Sequence, residues 1–131
     1  MTPELTALAL AGILHCGLFA LFAIPANLEL GTAYTTSPRD ILPPRSLSIG
    51  TARLQRTLNN SFEGLILFTL AVVVVTLGAR TSTTTHACAW IFLATRLLYI
   101  PAYAFGWAPL RSAIWCAGFV ACLTMLVVAL I

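Results

Sequence analysis

From Leu5 to Leu28 the chain carries no charged side chain, a stretch longer than the roughly 20 residues needed to cross a hydrocarbon core. A second charge-free run, Ser112 to Ile131, closes the chain. Two further apolar runs lie between them. One extends from about Arg53 to Ala79 and is uninterrupted beyond Glu63 (GLILFTLAVVVVTLGA); the other extends from about Thr84 to Gly106 and contains Arg96. Apolar residues are continuous in these runs rather than alternating, which predicts helices and argues against transmembrane strands. The pattern predicts an all-α integral membrane protein, a single domain over residues 1–131 with four spans at about 5–29, 53–79, 84–106 and 109–131. Glu4, not a basic residue, precedes the first run, so this run is expected to stay as a span and not to act as a cleaved signal. Connectors fit the division: a polar loop with Ser-Pro and Pro-Pro between Gly31 and Gly50, a turn after Arg80, and Gly106-Trp-Ala-Pro109 before the last helix.

Composition agrees with this solvent. Of 131 residues 60% are hydrophobic and 8% charged, whereas a soluble domain carries about 25% charged residues. The net charge of +3 comes from seven arginines, with no lysine, against Glu4, Glu29, Asp40 and Glu63. So small a surplus, with no basic run, excludes a nucleic-acid partner. Four cysteines at 16, 88, 116 and 122 form no CxxC pair and have no paired histidines nearby. They read as small apolar fillers, and no metal site is expected.

Arginines also give an orientation. Four spans place both termini on one face and loops 1 and 3 on the other. Arg39, Arg45, Arg53, Arg56 and Arg111 collect on the loop side, against Arg80 alone opposite. The positive-inside rule makes the loop side cytoplasmic and leaves both termini outside.

Two charges fall where lipid should be. Glu63 lies about 16 Å along the second span and Arg96 about 15 Å from the same face on the third, at 1.5 Å per residue. Opposite charges at one depth on neighbouring helices predict either an ion pair or a shared polar ligand. Their neighbours extend the pattern. Arg53, Arg56, Asn60 and Glu63 share an arc of about 80° on the second helix. Arg96, Tyr99 and Tyr103 share about 60° on the third. With Arg111 opening the fourth helix, these residues outline a cavity rich in donors for a small carboxylate-bearing anion. The plainer reading is that the buried polar groups only tie helices together.

Here the residues resemble a known family. Arg53-Leu-Gln-Arg56-Thr-Leu-Asn59-Asn60-Ser-Phe-Glu63 is similar to the R-x-x-R-x-x-x-N-x-x-E signature of the MAPEG proteins (membrane-associated proteins in eicosanoid and glutathione metabolism). Arg96-Leu-Leu-Tyr99-Ile-Pro-Ala-Tyr103 and Pro109-Leu-Arg111-Ser112-Ala-Ile-Trp115 resemble its third- and fourth-helix motifs, and the long polar loop looks most like the bacterial branch. The resemblance implies a homotrimer in the bacterial inner membrane, with glutathione as co-substrate bound between adjacent subunits near the cytoplasmic face. It assigns glutathione contacts to Arg56, Asn60, Glu63, Arg96, Tyr99 and Tyr103, with Arg53 as a basic position beside them. Arg111, with Ser112 next to it, matches a position implicated at the thiol in the prostaglandin-synthase branch of the family.

The implied activity is glutathione conjugation or glutathione-dependent peroxide reduction, on hydrophobic electrophiles or lipid hydroperoxides that arrive from the surrounding lipids. Gly64 stands where some eicosanoid-forming members carry a tyrosine, which points away from leukotriene or prostaglandin synthesis. Two other classes remain open on sequence. One is a small four-helix transporter, which would need a carboxylate free to titrate in mid-membrane. The other is a non-catalytic binding or scaffold module of the same fold. His15, in mid-helix with no ionisable neighbour in sequence, reads as a hydrogen-bonded interior histidine.

Overall fold

The computed structural model describes residues 1–131. Four long helices are joined by short turns and one longer loop: α1 (Pro3–Leu30), α3 (Ile49–Leu77), α4 (Thr83–Ala104) and α5 (Ala108–Leu130), with a single-turn helix α2 (Thr32–Thr35) inside the loop. All four long helices have the length and apolarity to cross a membrane, and there are no strands.

Local chemistry sets the ends. Thr2, Ser48 and Ser82 cap the N-termini of α1, α3 and α4, each side-chain oxygen accepting a backbone N–H of the first turn. Ser82 and Thr85 form a reciprocal capping box. The second span begins four residues before the expected Arg53, because Ser48 rather than the arginine starts the helix. A second anchor reinforces that start. The Glu29 carboxylate, at the end of α1, accepts from Ser48 N at 2.8 Å, Ser48 Oγ at 2.7 Å and Thr51 Oγ1 at 2.6 Å. A carboxylate at a helix N-terminus offsets the free N–H groups there, and Arg45 Nε donates to the Glu29 carbonyl beside it. Despite its length of about twenty residues, loop 1 is thus tied at its base, which fixes where α3 presents Arg53 and Arg56.

Packing divides the bundle into two halves. α3 and α4 form the central pair, with α1 and α5 each packed on both and not on each other. Toward the termini lies an apolar core: Ala7 and Ala11 from α1, Phe68 and Val72 from α3, Ala89 and Phe92 from α4, and Cys122 and Met125 from α5. Phe68 and Phe92 stack at its centre with ring centroids 4.1 Å apart. Toward loops 1 and 3 the same helices carry polar side chains instead. All four cysteines are free. Large apolar residues such as Phe19, Phe62, Ile66, Leu70 and Trp90 face outward, as expected of a surface that meets lipid or other protein rather than water.

At the far end Glu4 is wholly buried and accepts a 2.6 Å hydrogen bond from Thr85 Oγ1, with His86 Nε2 3.5 Å away. This clasp joins α1 to α4. Thr85→Val leaves the buried carboxylate without its donor, and we expect the unfolding free energy to fall by about 1–3 kcal/mol. Denaturation in detergent reads this directly; an unchanged midpoint would show that the clasp contributes nothing.

Candidate functional site

Helical spacing brings three faces together in the polar half. On α3, Arg56, Asn59, Asn60 and Glu63 cover two turns; Tyr99 and Tyr103 come from α4, and Arg111, Ser112, Trp115 and Cys116 from α5. They line one open cavity of about 450 Å³, within the range of small-molecule sites. A smaller cavity of about 270 Å³ at its mouth adds Arg53 and shares Arg56, Tyr103 and Arg111. Of the nine positions singled out in the sequence, the larger cavity gathers all but Arg53 and Arg96.

Tyr103 organises the cations. Its hydroxyl accepts from Arg56 Nε at 3.2 Å, and its ring lies under the Arg111 guanidinium, 4.4 Å from ring centroid to carbon. Tyr99 meets Tyr103 edge-on at 5.6 Å. No side-chain hydrogen bond or ion pair within the chain engages Arg111, so its donors face the cavity free. The Ser112 hydroxyl donates to the Ala108 carbonyl one turn back, at 3.2 Å. It can therefore accept from a ligand in this rotamer, but its proton is already used.

Arg53 sits differently. Its Nη1 donates to the Ala104 carbonyl at 3.3 Å, and its guanidinium lies against Gly106, where φ is +77°. A Cβ at Gly106 would come within 2.9 Å of Arg53 Nη2. Gly106→Ala should therefore displace Arg53 and strain the turn, at about 1–2 kcal/mol for the left-handed backbone alone. A thermal melt in detergent checks this, and a variant as stable as the parent would refute it.

The ion pair anticipated between Glu63 and Arg96 is not formed: no carboxylate lies within 4 Å of Arg96. Arg96 is buried, 5% exposed, while Glu63 is exposed. Arg96 Nη1 makes a long 3.4 Å hydrogen bond to Asn60 Oδ1, and the guanidinium packs over the Phe92 and Tyr99 rings at 5.2 Å each. What the two charges share is a cavity. A pocket of about 160 Å³ runs deeper between them, bounded also by Leu67, Phe92, Trp115 and Phe119. The pair misses contact because Arg96 turns inward toward glycines: Cβ atoms at Gly64 or Gly118 would each stand 3.0 Å from its terminal nitrogens. Helical phase placed both residues on the facing sides correctly, but rotamer choice depends on packing that spacing does not encode.

Sequence reasoning missed three lining residues, Asn59, Trp115 and Cys116. Their signal was available in the spacing. Trp115 is one turn beyond Arg111, Cys116 one turn beyond Ser112, and Asn59 one turn before Glu63. No group of three or more histidine, cysteine or acidic side chains gathers in a way that could hold a metal.

No curated protein and no solved structure matches the chain. A family model described as the MAPEG family matches residues 5–131, nearly the full length. This match, with four membrane-spanning helices and a basic cavity built from the three motif-bearing ones, shows that the chain belongs to the MAPEG family of integral membrane proteins, which includes glutathione transferases and peroxidases.

Proposed function

We propose that the protein is a glutathione-using membrane enzyme that joins the thiol to hydrophobic electrophiles or reduces lipid hydroperoxides with it. One observation carries this reading: Glu63 at membrane depth and Arg111 nearer the interface face the same cavity, and neither has a hydrogen-bond or ion-pair partner within the chain, Arg111 being held only by the Tyr103 ring. Unpaired charges at membrane depth are costly unless a ligand or protein group meets them. A tripeptide with one ammonium and two carboxylates has the complementary set. Glu63 suits the ammonium, while Arg56 and Arg53 at the mouth and Arg96 at the base suit carboxylates. Asn60, Tyr99 and Tyr103 supply neutral hydrogen-bonding groups and walls.

Arg111 is the group we assign to the thiol. The thiolate is the nucleophile, and a free thiol has a pKa of about 8.5, so a nearby guanidinium raises the reactive fraction at neutral pH. Ser112, its proton given to Ala108, would orient the thiol by accepting from S–H before ionisation. In conjugation the thiol proton leaves to solvent and the sulfur attacks the electrophilic carbon. That carbon either expels a leaving group such as halide or, on addition to an activated double bond, passes the electron pair to a neighbouring carbon that takes up a proton. In peroxide reduction two glutathione molecules are oxidised to the disulfide while the hydroperoxide becomes an alcohol and water. The deeper apolar pocket, walled by Trp115 and Phe119, suits the hydrophobic end of the second substrate.

The same reading makes the protein a homotrimer in the bacterial inner membrane, with loops 1 and 3 cytoplasmic, both termini outside and lipids around its perimeter. Support comes from α3, whose Asn59 and Glu63 are exposed at membrane depth. A neighbouring copy covering that face would shield them from acyl chains.

Calorimetry of the detergent-purified protein with glutathione tests the binding, and spectrophotometric conjugation of a chloronitrobenzene tests the chemistry. Saturable binding that Glu63→Gln weakens at least tenfold, together with turnover, is expected. Absence of binding overturns the proposal, and binding without turnover would make the protein a non-catalytic module.

A further inference from the structure

Five buried side-chain polar atoms have no hydrogen-bond partner in the chain, and three of them converge on one place. His15 Nδ1 from α1, Ser61 Oγ from α3 and Arg96 Nε from α4 line a single small cavity behind the glutathione cavity. Ser61 and Arg96 are 8% and 5% exposed. The remaining walls are apolar, including Leu18, Leu65, Phe92 and Ile100. The volume, about 10 Å³, suits one water and nothing larger; buried waters typically make about three hydrogen bonds to otherwise unsatisfied groups.

We propose that this cavity is a binding site for one water molecule, and that His15 and Ser61 are positioning residues that hold Arg96 through it. The donor count closes. The water accepts from Arg96 Nε–H and Ser61 Oγ–H and donates to His15 Nδ1, which is an acceptor when the neutral ring carries its proton on Nε2. The His15 ring lies against Phe62, tilted by 37° with 5.6 Å between centroids. Phe62 lies between Ser61 and Glu63 on α3, so the same turn braces the water and presents the carboxylate.

The consequence falls on Arg96. A guanidinium is planar and rigid, so fixing its Nε edge fixes the direction of its Nη edge. That front edge reaches Asn60 Oδ1 and the pocket shared with Glu63. Apart from the long bond to Asn60, no other polar contact within the chain restrains it. Hence the water would add a hydrogen-bonded restraint on the rear edge to the packing that Phe92, Tyr99, Gly64 and Gly118 already give the guanidinium, and so sharpen its aim at a ligand.

The functional half of this inference rests on the proposed glutathione site, but its first test does not. In ¹⁵N-labelled protein in detergent, the Arg96 Nε–H should show cross-relaxation to a long-lived bound water, observed without any ligand. Ser61→Ala, which removes one of the water's partners with little change of volume, and His15→Phe, which removes another and fills its space, should abolish that signal and move the Arg96 Nε resonance. Both should raise KM for glutathione about fivefold while kcat changes less than twofold, as expected for lost ground-state positioning. His15→Gln, which restores an acceptor, should recover part of the affinity. A wild-type Nε–H with no bound-water signal overturns the proposal even if a variant fails to fold. A wild type that shows the signal but binds no glutathione supports the water site and overturns the glutathione reading instead.

Discussion

Arg111→Ala is expected to lower conjugation at pH 7 by about 25-fold while activity at pH 10 stays close to that of the parent. The figure follows from acid–base arithmetic. A thiol with a pKa of about 8.5 is roughly 3% ionised at pH 7. An opposite charge within about 4–6 Å typically lowers an acid's pKa by 1–3 units. A shift of about two units raises the ionised share to roughly 75% by the same relation. Removing the cation returns the thiol toward its free value, so the loss appears below pH 8.5 and vanishes above it. The midpoint of the kcat/KM profile should therefore move up by about two units in the variant. Arg111 suits this role because the Tyr103 ring positions it at 4.4 Å without using its hydrogen-bond donors. A variant with the parent's profile, or with a loss equal at every pH, would remove Arg111 from the thiol.

The second large effect concerns Arg96 and separates a binding role from a purely structural one. Burying a guanidinium without a carboxylate carries a desolvation penalty of several kcal/mol. Packing over Phe92 and Tyr99 offsets part of it, at about 0.5–2 kcal/mol per ring. On that balance the bare fold gains little from this side chain. Arg96→Leu, similar in its buried stem and free of charge, is expected to melt at or above the parent in detergent. The stabilisation conferred by glutathione should disappear with it, about 2.7 kcal/mol at a ligand concentration a hundredfold over Kd. If the melting point instead falls by many degrees, Arg96 serves to tie α3 to α4 and the ligand argument loses its base. The opposite outcome would be a stability–function trade-off of the kind common at binding sites.

The two residues differ in how legible they were. Arg111 could be placed from sequence because it opens a helix at the interface, where spacing and depth fix its surroundings. Arg96 could be placed on the right face of α4, but not in its partnership. Its orientation depends on Gly64 and Gly118, on different helices, leaving room for its terminal nitrogens. Of the two arrangements anticipated, the ion pair is not formed, and the two charges instead line one pocket, on which the proposed ligand rests. The water proposed behind Arg96 was hidden for a similar reason. His15 and Ser61 are 46 residues apart, and neither has a partner visible in its own stretch of chain. The tether of Glu29 to Ser48 and Thr51 also crosses a loop with no periodicity to read.

By itself the amino-acid order determined that this protein lives in a bilayer, how many helices cross it, which faces of those helices are polar, and to which family it belongs. Each of these is local: run length, 100° phase and motif spacing are properties of contiguous residues. Only the tertiary structure decided which polar groups are spent on one another and which are left open. Glu63 and Arg111 stay unpaired, Arg96 turns inward, Tyr103 holds two arginines at once, and three polar atoms meet in a space for one water. Such choices are made by close packing between helices distant in sequence, where a glycine or a ring edge shifts a side chain by an ångström. Hydrogen bonding is decided on that length scale.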